Sequence, residues 1–393
     1  MHILMTYASQ GILGGVETLM ARMSRWLVRN GHEVTFLIGF NKAWADIIDE
    51  KVNCIVLGDR YRELYYYYHA EKLIKSLNIN KPDVIKSFDI NSSWVACQLS
   101  TIMGSKCKVI AGHYNPKEFS RGYPKHILEQ HDLRALRLKT YLEAIPAEGK
   151  LFCGIDVIED LMDIHGEKGV LWPIPIDEGE FEHAVRKPQK GIIVSVGRLA
   201  PMKEYNFYMI EAVGQLLEKG YRVHWIVYGE GKYETEMRRI IKNCHLENDI
   251  SMKGTVQYKK FWRVLENAYV FVGMGTSVLE AAMFQVPNIR ALPYDRSGAT
   301  FGSTCKLPKG SLSNSTRIKP VERIVDEIER IFNLDEKDYD KESRIAQQSI
   351  AEHKIDNSMK QFLDIIKGAK PVMLSKRNMY KYYLYRIMEK LFN

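Results

Sequence analysis

Two stretches constrain the fold of this chain more than any others. Residues 192–196 form a short β-branched apolar run that ends in Gly197 and is followed by two cations, Arg198 and Lys203. Residues 269–272 form a second apolar run, and Gly273-Met274-Gly275 then leads into Thr276, Ser277 and Glu280. A short apolar run closed by a glycine turn reads as a buried strand. A hydroxyl residue ahead of a helical pattern reads as its cap, so Thr276 or Ser277 is expected to cap the helix that carries Glu280. The first half of the chain repeats the design. Residues 3–7 read as a strand and residues 10–15 as a glycine loop. Leu19, Met20, Met23 and Leu27 then fall at helical spacing before Gly31, and residues 33–38 read as the next strand. Strands alternating with helices imply parallel sheets covered on both faces. A chain of 393 residues is long enough for two such domains.

Open parallel sheets bind ligands at the carboxyl edge of their strands. Unpaired N–H groups at a helix start, with the helix dipole, favour an anion there. Arg198 and Lys203 add charge for a diphosphate, and Glu280, one turn into its helix, suits a pair of ribose hydroxyls. The second half therefore reads as a holder for a sugar nucleotide.

The order and spacing of these motifs resemble a family 4 retaining glycosyltransferase of the GT-B fold: α/β, two Rossmann-like domains facing each other across a cleft. The resemblance rests on Gly197-Arg198-Leu199, Lys203, Gly229-Glu230-Gly231 and Glu280-Ala281-Ala282. It covers residues 1–300, and more loosely continues to about residue 365. It implies an acceptor-side domain at 1–172, a nucleotide-sugar domain at 173–366 and a basic aromatic helix at 367–393 that returns to the first domain or lies on a membrane. Residues 173–177, Pro-Ile-Pro-Ile-Asp, stand at the joint. By the same resemblance Arg198, Lys203 and Glu280 are catalytic. Gly14, Gly15, Gly197, Gly229, Gly231, Gly254, Gly275, Thr276 and Ser277 line the sugar-nucleotide site. Gly14-Gly15 also reads simply as a turn before a helix. His113, at the end of the strand over residues 108–111, is a candidate to orient the transferred sugar and equally a structural histidine. The family's first glutamate, eight residues before Glu280, is Val272 here, so sugar identity does not carry over. Glu204 follows Lys203 where the family prefers glycine.

The implied donor is a UDP- or GDP-linked sugar, with no metal and no further cofactor. The implied acceptor is a glycan or lipid-linked glycan, and no nucleic-acid partner is expected. A net charge of +8 suits a nucleotide donor or an anionic membrane surface. Residues 61–77 read as a helix dense in tyrosines and cations. The tail from Pro371 carries Lys376, Arg377, Lys381, Arg386 and Lys390 among aliphatics and tyrosines. Either segment suits anionic lipid, and the tail equally suits packing across the first domain. Six cysteines without a Cys-x-x-Cys pair point to buried thiols in a reducing cytoplasm. Residues 2–7 are too short for a signal peptide and no apolar run spans a bilayer. The expected place is the cytoplasm, peripheral on the inner face of the plasma membrane. Asp338-Tyr339-Asp340 reads as a solvated run rather than a metal site. An epimerase acting on free sugar nucleotides and a non-catalytic protein of the same fold are the rival readings.

Overall fold

The computed structural model describes residues 1–104, 107–114, 119, 133–182, 184–303, 322–375 and 377. The chain forms two compact units, Met1–Pro175 with Ser358–Asn393, and Ile176–Asn357.

Among the described residues, the first unit is a seven-stranded sheet in the order β3-β2-β1-β4-β5-β6-β7. Its strands are β1 (His2–Gln10), β2 (Glu33–Phe40), β3 (Asn53–Val56), β4 (Val84–Ser87), β5 (Lys108–His113), β6 (Lys150–Phe152) and β7 (Val170–Leu171). All pair in parallel. The helices are α1 (Gly15–Arg29), α2 (Tyr67–Leu77), α3 (Ile90–Met103), α4 (Leu133–Ala144) and α5 (Ile155–His165). Central strands such as β1 are buried on both faces, as a parallel sheet under helices requires. The start of α3 is fixed by Asp89, whose carboxylate accepts from Ser92 N at 2.6 Å while the Ser92 hydroxyl returns to Asp89 N.

The helix expected over residues 61–77 is split. A 3₁₀ turn (Gly58–Tyr65) precedes α2. Side chains of α3 take the carbonyls that a continuous helix would need. Gln98 Nε2 donates to Leu64 O at 2.6 Å, and Trp94 Nε1 to Tyr65 O at 3.0 Å. Tyr61 is buried, its hydroxyl 2.7 Å from Thr6 Oγ1, whereas Tyr68 is exposed. After α12 (Ile355–Gly368) the chain packs on α3 and β5. Ser100 Oγ donates to Val372 O at 2.5 Å, and Leu374 N to Thr101 Oγ1 at 2.9 Å. The cationic positions Lys376, Lys381, Arg386 and Lys390 lie outside the described residues, as does Cys305, one of the six cysteines.

The second unit has the order β10-β9-β8-β11-β12-β13-β14. It comprises β8 (Ile192–Val196), α6 (Tyr205–Glu218), β9 (His224–Tyr228), α7 (Glu234–Asn243), β10 (Ile250–Met252), α8 (Phe261–Leu265), β11 (Val270–Gly273), α9 (Thr276–Met283) and β12 (Asn288–Ala291), then β13 (Ala299–Ser303), β14 (Glu322–Arg323), α10 (Ile324–Phe332) and α11 (Glu336–Gln348). Strands β8 to β12 are parallel. Strands β13 and β14 are antiparallel, a departure from the all-parallel expectation. Too few residues separate β12 from β13 for a crossover helix, so the chain can only return antiparallel. Between α11 and α12 the chain makes a 3₁₀ turn (Ala351–His353), where His353 is buried and its carbonyl accepts from Ile176 N at 2.7 Å. Asp338 and Asp340 are exposed on α11, and Tyr339 between them stacks on Tyr269 at 4.0 Å.

Of the cysteines, Cys97, Cys107 and Cys153 are buried, and Cys244 is exposed, unlike the buried thiols expected. Burial pushes the Cys107 thiol up to about 12. Among the described residues no helix is long and apolar enough to cross a membrane.

Candidate functional site

The loops after β8, β9 and β10 are joined by backbone hydrogen bonds beyond the strands themselves. Gly197 N donates to Tyr228 O at 2.9 Å, Leu199 N to Glu230 O at 2.9 Å, and Gly229 N to Gly254 O at 2.7 Å. This close approach requires glycine at residue 229. Its φ is +145°, and a Cβ there would stand 2.1 Å from the Gly197 carbonyl oxygen. Gly197 has a φ of +151°, and the Lys203 amine lies where its Cβ would project.

Lys203 ends a short 3₁₀ turn (Pro201–Lys203) that opens with proline, and Asn206 Nδ2 donates to its carbonyl at 2.9 Å. Its side chain folds back over Gly197 to place Nζ 3.5 Å from Val196 O. Burial, aided by the charge of Arg198 and opposed by that of Glu280, lowers the Lys203 pKa to about 8. Glu280 is buried on α9 at 5% exposure, whereas Arg198 is exposed. Lys203 thus lies within electrostatic reach of both Arg198 and Glu280 at the carboxyl edge of β8 and β11.

The N-cap of α9 is Gly275, at φ +71°, and no side chain caps the helix. This corrects the cap expected from Thr276 or Ser277. Ser277 Oγ instead donates back to Met274 O at 3.2 Å. The glycine supplies the left-handed turn, and no hydroxyl competes for the amides of the first turn. The position of the missing glutamate, Val272, is core. Its carbonyl accepts from Ser195 Oγ at 2.7 Å, and Ser195 Oγ accepts from Trp225 Nε1 at 3.0 Å.

The structure therefore brings together Gly197, Arg198, Lys203, Gly229, Gly231, Gly254, Gly275, Thr276, Ser277 and Glu280 on one edge of the second unit. Gly14, Gly15 and His113 belong to the first unit. Gly14 is the N-cap of α1, and Glu17 in its first turn is buried and accepts from Ser9 Oγ at 3.2 Å. His113 is the last residue of β5 and is fully buried. It stacks between Tyr141 at 5.4 Å and Phe152 at 5.2 Å, and its Nε2 is 3.1 Å from the Tyr141 hydroxyl.

Two features escaped the sequence reading. Lys86 on β4 is fully buried; Nζ donates to Ser87 O at 2.6 Å and sits 4.4 Å over the Phe88 ring. Burial holds this amine well below the ordinary lysine range. Nothing in a Lys-Ser pair at a strand end signals that. The second is a cluster around Glu204, which joins residues too far apart in sequence to be read as a motif.

Residues 177–291 match the family model described as glycosyl transferases group 1. The second unit thus carries a glycosyltransferase group 1 domain. No curated protein matches the chain in sequence. Its fold is similar to that of solved GT-B proteins. The Anabaena protein Alr3699/HepE in complex with UDP and glucose is 14% identical, with a TM-score of 0.66, over 94% of this chain and 100% of that one. A mutant of the S. aureus protein TarM, in complex with fondaparinux, alpha-GlcNAc-glycerol and UDP, is 10% identical, with a TM-score of 0.67, over 93% and 99%. The sucrose-phosphate synthase of Thermosynechococcus elongatus is 14% identical, with a TM-score of 0.66, over 93% and 98%.

Proposed function

We propose that this enzyme is a retaining, metal-independent family 4 glycosyltransferase that moves a sugar from a UDP- or GDP-linked donor to a lipid-linked glycan in bacterial surface polysaccharide synthesis. The observation that carries the donor reading is Lys203, folded over Gly197 beside Arg198 and Glu280, at the edge where α9 begins without a side-chain cap. Breaking the anomeric C–O bond places negative charge on the departing diphosphate and positive charge on the sugar. Fixed cations and backbone amides stabilise that leaving group, with no metal needed. Arg198, Lys203 and the amides of Thr276 and Ser277 take this role, while the Glu280 carboxylate accepts from the ribose hydroxyls. The acceptor hydroxyl attacks from the leaving-group face and passes its proton to a diphosphate oxygen, so no carboxylate base is required. The UDP bound in the HepE and TarM structures supports a uridine donor.

The lipid-linked acceptor and a peripheral place on the inner face of the plasma membrane rest on exposed Arg60, Arg62 and Tyr68, and on the cations in the sequence of the tail. Each cation near an anionic surface adds on the order of 1 kcal/mol. Val272 in place of the family's first glutamate favours a second reading, a non-catalytic binding protein of the same fold. One assay separates these. UDP- and GDP-sugars are incubated with the protein in EDTA, with and without anionic vesicles at low and high salt. The expected outcome is release of nucleoside diphosphate from at least one donor despite the chelator, with salt-sensitive pelleting on the vesicles. Release that requires manganese overturns metal independence. Binding without release selects the non-catalytic reading. Failure to pellet at low salt makes a soluble acceptor the preferred one.

A further inference from the structure

Glu204 is the residue immediately after Lys203, and it ties three loops of the second unit together. Tyr233, from the loop after β9, donates its hydroxyl to Glu204 Oε1 at 3.0 Å. Arg296, from the loop after β12, places Nε 3.8 Å from the same oxygen. The Arg296 guanidinium also lies 4.2 Å over the ring of Phe207, on the first turn of α6, and Phe207 packs edge-on against Tyr233 at 5.0 Å. The backbone closes the same clamp, because Tyr294 N donates to Met202 O at 3.1 Å. The Arg296 loop is braced in turn. Asp295 Oδ2 accepts from Gly298 N at 3.0 Å and from Ala299 N at 3.2 Å, and Gly298 lies against the Tyr208 ring where any Cβ would overlap it. The turn that carries Lys203 is therefore held by residues 202 and 204 on either side of it.

We propose that Glu204, Tyr233 and Arg296 are positioning residues for Lys203, and that the enzyme's grip on the diphosphate of its nucleotide depends on this clamp. The inference rests on the donor-site reading above. A lysine is a flexible point charge with considerable rotamer freedom. A fixed main chain is what lets it meet a phosphate oxygen without reorganising, and a misplacement of about 1 Å can cost on the order of 100-fold in rate. Glu204 stands where the resembling family prefers glycine, and a glycine there could make neither of these side-chain contacts.

The test is calorimetric titration of the full chain with UDP and with GDP, alongside its melting temperature. Arg296→Ala and Glu204→Ala should each weaken binding of the preferred nucleotide about tenfold, with the melting temperature nearly unchanged. Arg296→Lys, which keeps a cation near Glu204, should recover most of that loss. Tyr233→Phe keeps the ring and removes only the hydroxyl, and should show a smaller loss, which guards against a folding failure in the alanine variants. In a Lys203→Ala background the clamp substitutions should add almost nothing, because they act through Lys203. Wild-type affinity in Arg296→Ala and Glu204→Ala overturns the clamp while leaving the donor site standing. Equal losses with and without Lys203 also overturn it, since they make Arg296 an independent contact. Wild-type protein that binds neither nucleotide, or unchanged binding in Lys203→Ala alone, overturns the donor-site reading and the clamp with it.

Discussion

Lys203→Ala is expected to abolish donor turnover in a protein that still folds. Among the described residues the amine makes one long hydrogen bond, to Val196 O at 3.5 Å, and its charge faces the buried Glu280 carboxylate. Deleting a desolvated cation relieves a burial cost that offsets the loss of that attraction, so the melting temperature should be nearly unchanged. A charge-assisted contact to phosphate contributes roughly 1.5–3 kcal/mol, which corresponds to about 10- to 150-fold in affinity. The loss in rate should be larger, because charge on the diphosphate grows as the bond breaks. The lysine also sets a pH signature. Its pKa of about 8 in the free protein means that the cation, the form that binds, is lost as pH rises through 8. Nucleotide affinity should therefore be full near pH 6.5 and decline above pH 8, and Lys203→Ala should erase that decline. Near-normal turnover in folded Lys203→Ala protein contradicts the assignment.

Gly229→Ala is expected to damage both the fold of the second unit and its site. The residue sits at φ +145°, where a side chain is strained, and its Cβ would stand 2.1 Å from the carbonyl oxygen of Gly197. That neighbour is backbone and cannot rotate away. The conformational strain alone costs about 1–3 kcal/mol, and the overlap forces apart the bonds that join the loops after β8 and β9. A total near 3 kcal/mol would lower the melting temperature of a domain of this size by about 6–12 °C. Nucleotide binding should fall with it, because Lys203 rests on the loop that moves. Gly220→Ala is the control, since its helix-terminal glycine has a φ of +85° but open space around it. Thermal melts of both variants check this; equal, small shifts would show that the pinch between the loops is not a constraint.

Periodicity and glycine turns made most of the fold legible, because parallel strands under helices leave a strong local trace. Residues 192–196, 205–218 and 224–228 form strand, helix and strand close to where apolar spacing puts them. The expectations failed where tertiary contacts overrule local pattern. The tyrosine-rich segment breaks before Tyr67 because Trp94 and Gln98 of α3 capture its carbonyls. Strands β13 and β14 are short and polar, so their antiparallel return left no alternation to read. The cap of α9 was misassigned because a glycine N-cap and a hydroxyl N-cap look alike when Gly-Thr-Ser stand in a row. At the candidate site, Arg198, Lys203 and Glu280 stand out as charges beside glycine turns. Glu204 is visible as a departure from the family pattern, but its partners Tyr233 and Arg296 become its neighbours only once the sheet is assembled.

The carboxyl edge of the second unit is proposed to hold a nucleoside diphosphate between Lys203, Arg198 and Glu280. A crystal structure of the full chain with UDP or GDP tests it most directly. Diphosphate oxygens are expected within hydrogen-bond distance of Lys203 Nζ and of the Thr276 and Ser277 amides, with the ribose hydroxyls on the Glu280 carboxylate. A nucleotide bound with its diphosphate away from Lys203, or with its ribose away from Glu280, contradicts it.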